Sequence, residues 1–375
     1  MEERGQWNVQ KMLAAGIQPE AILEKARAFS KIYVDNLARA GKVSFTSGAE
    51  GDVPTAYVFG KTLPEAWENS IMTLLAIGKN VHTHYDPKTK EGQFTSFPSM
   101  EATVTMHIAD AFGEPRFHQN YLGGWMGFGD YKAEIEGRKD HWMIDPKQVV
   151  QRIKNGTFEE MKSDHRWNYT YHQRLAAFPF IGVDGESKTA NQLEAVVKKL
   201  AEDPLSKSAQ AITWDPRWDN NLGDMGVQWD DYHSPCLQRL WFRMIPAGEG
   251  FTLNLNTNWR SRDLLKAVPQ NIYGITEVFF KKVRDELETK LQVPIKTGRY
   301  VDSSDSLHLY GHYFDPRKQG RDAESYLQFV FNVASGQPFE ERAILPGTPK
   351  HDLMQETIQE EYAFRIANPD SNLTG

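Results

Sequence analysis

Residues 237–259 constrain the fold of this chain more than any other stretch. Two apolar runs, Leu237 to Ile245 and Phe251 to Trp259, flank Pro246-Ala247-Gly248-Glu249-Gly250. Short runs of this kind around a Gly-rich link read as a β-hairpin. The second run alternates, with Asn254, Asn256 and Asn258 on one face and Leu253, Leu255 and Trp259 on the other. Any fold of this chain must therefore contain an antiparallel pair with one apolar face.

Helices are expected on either side of it. Pro19 suits a first helical turn, and Ile22, Ala26, Phe29 and Ile32 predict one apolar stripe of a helix over 19–40. Thr62-Leu63-Pro64-Glu65 reads as a capping box that opens a helix through Trp67, Ile71 and Leu75, ended by Gly78. Asn191 is expected to cap a helix with Leu193, Val196, Val197 and Leu200 on one face, and Ile275 to Leu287 reads as another, apolar at Val278, Phe279 and Val283. Glu101 to Ala109 and Ala209 to Trp214 read as strands. Residues 112–165, rich in Gly, charge and aromatics, read as irregular active-site loop with short helices. No internal repeat or low-complexity linker is visible, so one α+β domain over 1–375 is expected. It would have an N-terminal helical extension over 1–60 and a charged surface tail over 340–375.

Composition excludes several classes. In 375 residues, 43 basic and 50 acidic side chains give a net charge of −7, so no basic footprint for a nucleic-acid partner is expected. The 10 Trp and 20 Phe point to a packed globular protein. One cysteine allows no intramolecular disulfide. The polar start MEERGQWNVQ has no signal-peptide core, and no apolar run is long enough to span a bilayer. A soluble protein of the cytoplasm is expected, with no membrane partner.

That cysteine, Cys236, lies in His233-Ser234-Pro235-Cys236-Leu237-Gln238. An isolated Cys is more often a buried structural thiol. A nucleophile would need cations to stabilise its thiolate, and Arg239, Arg243 and Arg260 are near in sequence. Arg260-Ser261-Arg262-Asp263 follows a strand and by itself reads as a solvated turn. It could equally hold a phosphate, with Arg as a bidentate fork and Ser as a hydroxyl donor. Asn271 by itself reads as a turn residue after Pro269, but its amide matches the N3-H and O4 edge of uracil. In Ser306-Leu307-His308-Leu309-Tyr310-Gly311-His312-Tyr313, strand periodicity points His308 and Tyr310 the same way. They are either satisfied core polars or ligands of a sugar hydroxyl.

Taken in order, these pieces resemble the thymidylate synthase and pyrimidine nucleotide hydroxymethylase family. The series runs Asp203-Pro204-Leu205-Ser206-Lys207, Ser234-Pro235-Cys236, Arg260-Ser261-Arg262-Asp263, Pro269-Gln270-Asn271, then Ser306-Leu307-His308-Leu309-Tyr310. The resemblance covers about residues 130–315 and keeps the family's interval from Arg260 to Asn271. It implies a mixed β-sheet packed by helices and a sheet-to-sheet homodimer. It implies that Cys236 attacks pyrimidine C6, that Arg260 and Ser261 bind the phosphate, and that Asp263 holds the pterin of the folate. Asn271 would read the base, and His308 and Tyr310 would bind the sugar 3′-hydroxyl. Tyr131-Lys132-Ala133-Glu134-Ile135-Glu136 is similar to the helix with the catalytic glutamate, with Glu134 preferred to Glu136. Asn168-Tyr169-Thr170-Tyr171 is similar to the segment whose tyrosine organises water, with Tyr171 preferred to Tyr169.

The departures also carry information. Two adjacent arginines usually follow the Asp-Pro-x-Ser turn and reach the partner's phosphate; here Lys207 and Ser208 stand there. The synthases' His after the nucleophile is Leu237, and their Gly after the tyrosine is His172. The apolar C-terminal tail of synthases is replaced by Asn372-Leu373-Thr374-Gly375. The resemblance thus implies a nucleoside monophosphate substrate, 5,10-methylenetetrahydrofolate as co-substrate and no metal. Water rather than folate hydride is expected to trap the methylene, giving 5-hydroxymethyl-dUMP. Asn271, where deoxycytidylate hydroxymethylases carry Asp, favours uracil, and so a phage-type deoxyuridylate hydroxymethylase. Alternatives are a thymidylate synthase, a CMP or dCMP hydroxymethylase and, from a different class, a non-catalytic nucleotide-binding relative.

Overall fold

The structure is a computed structural model that describes residues 7–83, 86–140, 155, 169–181, 183–184, 187–219 and 234–369. Two compact units emerge from the contacts. One comprises Met1–Gly123, Trp259–Pro269 and Arg299–Leu353; the other comprises Gly124–Asn258, Gln270–Gly298 and Met354–Gly375.

The first unit is built on strands β1 (Val43–Thr46), β2 (Thr55–Gly60), β3 (Lys79–Val81), β4 (Ser99–Ile108), and the parts it holds of β10 (Gly250–Asp263) and β11 (Ile295–Leu309). Their order is β1-β2-β4-β11-β10, with β3 paired to β4. β2 runs parallel to β4, while β1–β2, β3–β4 and β4–β11 are antiparallel, so the sheet is mixed. The parallel pair needs a crossover, which includes helix Leu63–Ile77. This helix is buried from Ala66 to Leu75, and its Trp67 Nε1 donates to Leu264 O at 2.7 Å. Residues 43–60, expected in a helical extension, thus include two sheet strands.

Helix Pro19–Arg39 agrees with its predicted span, but its stripe differs. Ile22, Leu23, Ala26, Ser30 and Val34 are buried, while Ile32 is exposed. Steps of four from Ile22 track one face at 3.6 residues per turn, and position 32 turns away from it. The capping box is also altered. Thr62 stands at the N-cap without a side-chain cap bond, and Glu65 accepts from Lys61 N at 2.7 Å instead. Lys42 Nζ holds the other Glu65 oxygen at 2.8 Å, which draws the carboxylate off the box geometry.

Strand β5 (Phe117–His118) lies outside this sheet, and in the second unit β6 (Phe178–Ile181) and β7 (Ser187–Ala190) pair with each other, while β8 (Gln210–Ile212) and β9 (Leu237–Ala247) continue the order as β10-β9-β8. β10 and β11 contribute residues to both units, and the sheet has eight strands with β3. The predicted hairpin is β9–β10, and the β10 alternation holds through Trp259, with Leu253, Leu255 and Trp259 buried. Helix Gln192–Glu202 follows its prediction closely: Asn191 Oδ1 accepts from Leu193 N and Glu194 N, and Leu193, Val196, Val197 and Leu200 are buried.

Two expectations for this unit are corrected. The helix predicted from Ile275 begins at Ala267: Ala267–Gly274 leads through a π-helical stretch, Ile275–Phe280, into Lys281–Leu291. Pro269 lies in the first turn, where its missing N–H is not needed. The expected C-terminal tail is instead helix Pro349–Ala367, which buries Met354, Ile358, Glu361 and Arg365. Those positions form one helical stripe, but two are charged, so the apolar pattern hides it. Within the expected loop over 112–165, Phe117–His118 is a strand and Met126–Ile135 a helix. Its residues 141–154 and 156–165 lie outside the described ones, as do Asn168, His233 and the end from 370. No helix among the described residues is long and apolar enough to cross a membrane.

Candidate active site

Cys236 immediately precedes β9 and is half-buried. The next residue's amide, Leu237 N, donates to the Tyr171 hydroxyl at 3.3 Å. Tyr171 begins helix Tyr171–Ala176, whose N-cap Thr170 accepts from Gln173 N at 3.0 Å. This phenol is only 9% exposed. Burial, followed by the charges of Tyr169, Cys236 and Tyr131, pushes it well above the ordinary tyrosine range, against the Leu237 amide. Tyr171 therefore remains a neutral hydroxyl, within electrostatic reach of the thiol.

Tyr131 and Glu134 are one turn apart on helix Met126–Ile135. Burial pushes the Glu134 carboxyl up to about 7; Lys139 opposes this, and Asp130 and Asp140 add to it. Lys139 Nζ stands 3.9 Å from Glu134 Oε2. The neighbouring carboxylate, Glu136, accepts from Tyr362 OH and lies 4.0 Å from Arg138. A carboxyl that changes charge near neutrality, as Glu134 does, suits proton transfer. The same helix lies close to the Asn271 helix: a Cβ on Gly274 would meet the Tyr131 ring at 2.7 Å, so a larger residue cannot stand there. Asn271 itself, far from being in a loose turn, is helical and 7% exposed.

The cations offered to Cys236 by sequence are partly committed elsewhere. Arg239 donates twice to Asn258 Oδ1, at 3.1 and 3.0 Å. Arg243 donates to the carbonyls of Leu205 and Ser206, the latter at 3.1 Å. With Trp241 Nε1 on Lys207 O at 2.8 Å, Arg243 pins the Asp203–Lys207 turn to β9 and leaves the Lys207 side chain exposed. The sequence does not reveal this pinning, because the bonds run to backbone carbonyls.

In the first unit, Arg260-Ser261-Arg262-Asp263 is the end of β10 itself and not a turn after it. Arg260 is exposed and Ser261 half-buried. Arg262 is buried, lies 4.2 Å over the Trp259 ring and pairs with Asp302 on β11, which also accepts from Trp259 Nε1 and Tyr300 OH at 3.1 Å. Asp263 accepts from Leu265 N at 2.9 Å, Lys266 N at 3.2 Å and Tyr313 OH at 2.7 Å. Tyr313 is the partner that sequence reasoning missed, although it ends the quoted His-Tyr run.

His308 ends 8% exposed, with Nδ1 3.3 Å from Ser306 O and, among the described residues, no partner on buried Nε2. Burial holds its pKa below the ordinary value despite Asp263, the Ser306 carbonyl, Glu101 and Asp86, so the ring is neutral at pH 7. Its ring centroid lies 4.6 Å from that of Tyr310, just past β11. The structure thus groups Cys236, Tyr171, Tyr131 and the Glu134 carboxyl in one unit, and Asp263, His308, Tyr310 and Tyr313 in the other. No group of three or more His, Cys, Asp or Glu that could hold a metal ion occurs among the described residues.

No family model matches the chain. It is 31% identical over 175 residues to a Methanocaldococcus jannaschii protein described as "Putative thymidylate synthase", covering 46% of this chain and 67% of that one. Proteins of the same description from Methanosarcina barkeri and Methanosarcina mazei are each 30% identical over 149 residues, 40% of this chain. The chain spans 56% of the length of these two relatives. Among solved structures, a thermostable thymidylate synthase A from Bacillus subtilis aligns with a TM-score of 0.44 at 14% identity, covering 72% of this chain and 84% of that one.

Proposed function

Given that this chain belongs to the thymidylate synthase family, we propose that it transfers one carbon from a folate to C5 of a pyrimidine nucleoside monophosphate. The observation that carries the reading is the pairing, in one unit, of a half-buried Cys236 coupled to a neutral Tyr171 hydroxyl with a Glu134 carboxyl that titrates near neutrality.

The Cys236 thiolate adds to C6 of the ring and makes C5 a nucleophile. Asn271 hydrogen-bonds the developing charge along the N3-H and O4 edge. 5,10-Methylenetetrahydrofolate supplies the methylene carbon that C5 attacks. Glu134 and Tyr171, with water, take the C5 proton as tetrahydrofolate departs. Water then adds to the exocyclic methylene and Cys236 leaves as thiolate. The balance is dUMP, methylenetetrahydrofolate and water in, 5-hydroxymethyl-dUMP and tetrahydrofolate out. Arg260, Ser261 and Lys207 serve the phosphate, and His308 and Tyr310 the sugar 3′-hydroxyl. Asp263 fits a pterin donor: a carboxylate offers about four acceptor positions, and three are used by Leu265, Lys266 and Tyr313.

Trapping by water and the choice of dUMP rest on Leu237 in place of the synthases' His and on the Asn271 amide. That both units serve one catalytic domain, and that the active form is a homodimer in a phage-infected cytoplasm, belongs to the same proposal. Mass analysis of the product from dUMP, with dCMP and CMP as controls, tests it. A gain of CH2O on dUMP is expected. A gain of CH2 would instead identify methylation, and no product from any of the three would defeat the reading. Cys236→Ser is expected to bind nucleotide without turnover. Sedimentation of an active monomer would remove the dimer.

A further inference from the structure

We infer that Lys139 positions Glu134, and that Asp130, Glu361 and Arg365 hold Lys139 in that place. This rests on the proposed role of Glu134 but deepens it with residues that no sequence motif marks.

Lys139 follows the helix that carries Glu134 and is 2% exposed. Its Nζ lies 2.8 Å from Asp130 Oδ1 and 3.9 Å from Glu134 Oε2, so one ammonium faces both carboxyls of the same helix. Asp130 is held in turn from the C-terminal helix. Arg365 Nε is 2.9 Å from Asp130 Oδ1 and 2.6 Å from Glu361 Oε1. All four network side chains are nine-tenths buried or more. Lys139 and Arg365 thus face the Asp130 and Glu361 carboxyls, and Glu134 stands beside this network. Burial raises its carboxyl to about 7, Asp130 and Asp140 add to the rise, and the Lys139 ammonium opposes it, so the carboxyl would rise further without that ammonium. Other charged groups around this helix are Asp140, bonded to His172 Nδ1 at 2.6 Å on the Tyr171 helix, and Glu277 of the π-helical stretch. Glu277 lines a cavity with Lys132, Glu136, Arg138 and His172.

The purpose follows from the chemistry. A base that takes the C5 proton must be ionised for part of the time at neutral pH. Without Lys139 a carboxyl in this acidic setting would be protonated for a larger share of the time. Because Lys139 lies 2.8 Å from Asp130 and 3.9 Å from Glu134, it shifts the balance at Glu134 more loosely than a close ion pair would.

The test uses the full chain and two readouts. The first is infrared titration of the Glu134 carboxyl, isolated by subtracting Glu134→Gln, which needs no substrate. Lys139→Met is expected to move the midpoint up by about one pH unit, and Lys139→Arg to restore it. The second is tritium release from C5 of dUMP against pH: the alkaline-rising limb should move by the same amount, with about tenfold less release below the midpoint. An unmoved midpoint in folded Lys139→Met overturns the inference. If that variant does not fold, Arg365→Gln carries the test: a smaller upward movement is expected, and an unmoved midpoint is again fatal. If the wild type releases no tritium, the proposed reaction fails, and the infrared midpoint still judges Lys139.

Discussion

Two glutamates, one in each unit, are treated oppositely by their surroundings. Glu68 lies on helix Leu63–Ile77 and is 2% exposed. Burial acts to raise its pKa, but hydrogen bonds from His118 and Arg342 outweigh it and hold the carboxyl below the ordinary value. The arginine is a fork, with Nη2 at 2.6 Å from Oε1 and Nε at 2.8 Å from Oε2, and His118 Nε2 adds a contact at 3.3 Å. Among the described residues, Glu134 receives one ammonium at 3.9 Å, which also contacts Asp130 at 2.8 Å, with Asp130 and Asp140 acting against it. Two parallel N–H donors compensate a buried carboxylate, whereas a shared point charge does not. Glu68 is therefore a permanent anion that ties residue 68 to residue 342, and Glu134 is a group that can exchange a proton at neutral pH.

The comparison can be broken most severely through activity. Glu134→Gln is expected to lower tritium release from C5 by about 10²- to 10⁴-fold, the usual worth of a positioned base. Glu68→Gln in a folded sample should keep a turnover within a few-fold of wild type. Similar losses in the two would erase the distinction.

Stability separates the pair in the other direction. Arg342→Met strands a buried carboxylate and is expected to cost about 3–5 kcal/mol in urea denaturation at neutral pH. Lys139→Met should cost less, because Glu134 can escape by taking up a proton. A larger loss for Lys139→Met than for Arg342→Met would contradict this.

The pH dependence has opposite signs. A raised carboxyl binds its proton more tightly when folded. Glu134 therefore contributes stability at acid pH that is lost as pH rises from the ordinary carboxylate value through about 7, up to about 3 kcal/mol. Glu134→Gln should flatten that slope in melts between about pH 5 and about pH 8. Glu68, held low, contributes stability that is present above the ordinary carboxylate value and lost below it. Melts of Glu68→Gln should therefore differ from wild type least at acid pH.

The smallest effect is expected at Glu136. Its carboxylate is engaged by Tyr362 and lies beside Arg138, at a partly exposed position. Glu136→Gln should alter tritium release by less than about threefold, within the 1 kcal/mol typical of such contacts. A loss as large as that of Glu134→Gln would transfer the proposed base role to Glu136.

The parts of the fold that show in sequence are those fixed by neighbours. Asn191 and its four apolar followers specify helix Gln192–Glu202 because cap and stripe are both local. The alternation from Leu253 to Trp259 specifies β10 for the same reason. The C-terminal helix escapes because Glu361 and Arg365 occupy its buried stripe, and their burial is made tolerable by their own pairing and by Arg365's contact with Asp130, more than two hundred residues earlier. Thr62 misleads in the other direction: the motif is present, yet Lys42 and Lys61 take the glutamate that would complete it.

The candidate site divides along the same line. Residue types and their order, from Cys236 through Arg260, Asp263 and Asn271 to His308 and Tyr310, are fixed by sequence alone, and so is the family they resemble. What each group can do is set by distance and burial. The chain does not say that Arg239 and Arg243 are committed to Asn258 and to backbone carbonyls. It does not say that Tyr313 holds Asp263, or that Glu134 titrates near 7. Tertiary structure decided these because a charge in a low-dielectric interior responds to every partner within a few ångströms, whatever its place in the chain.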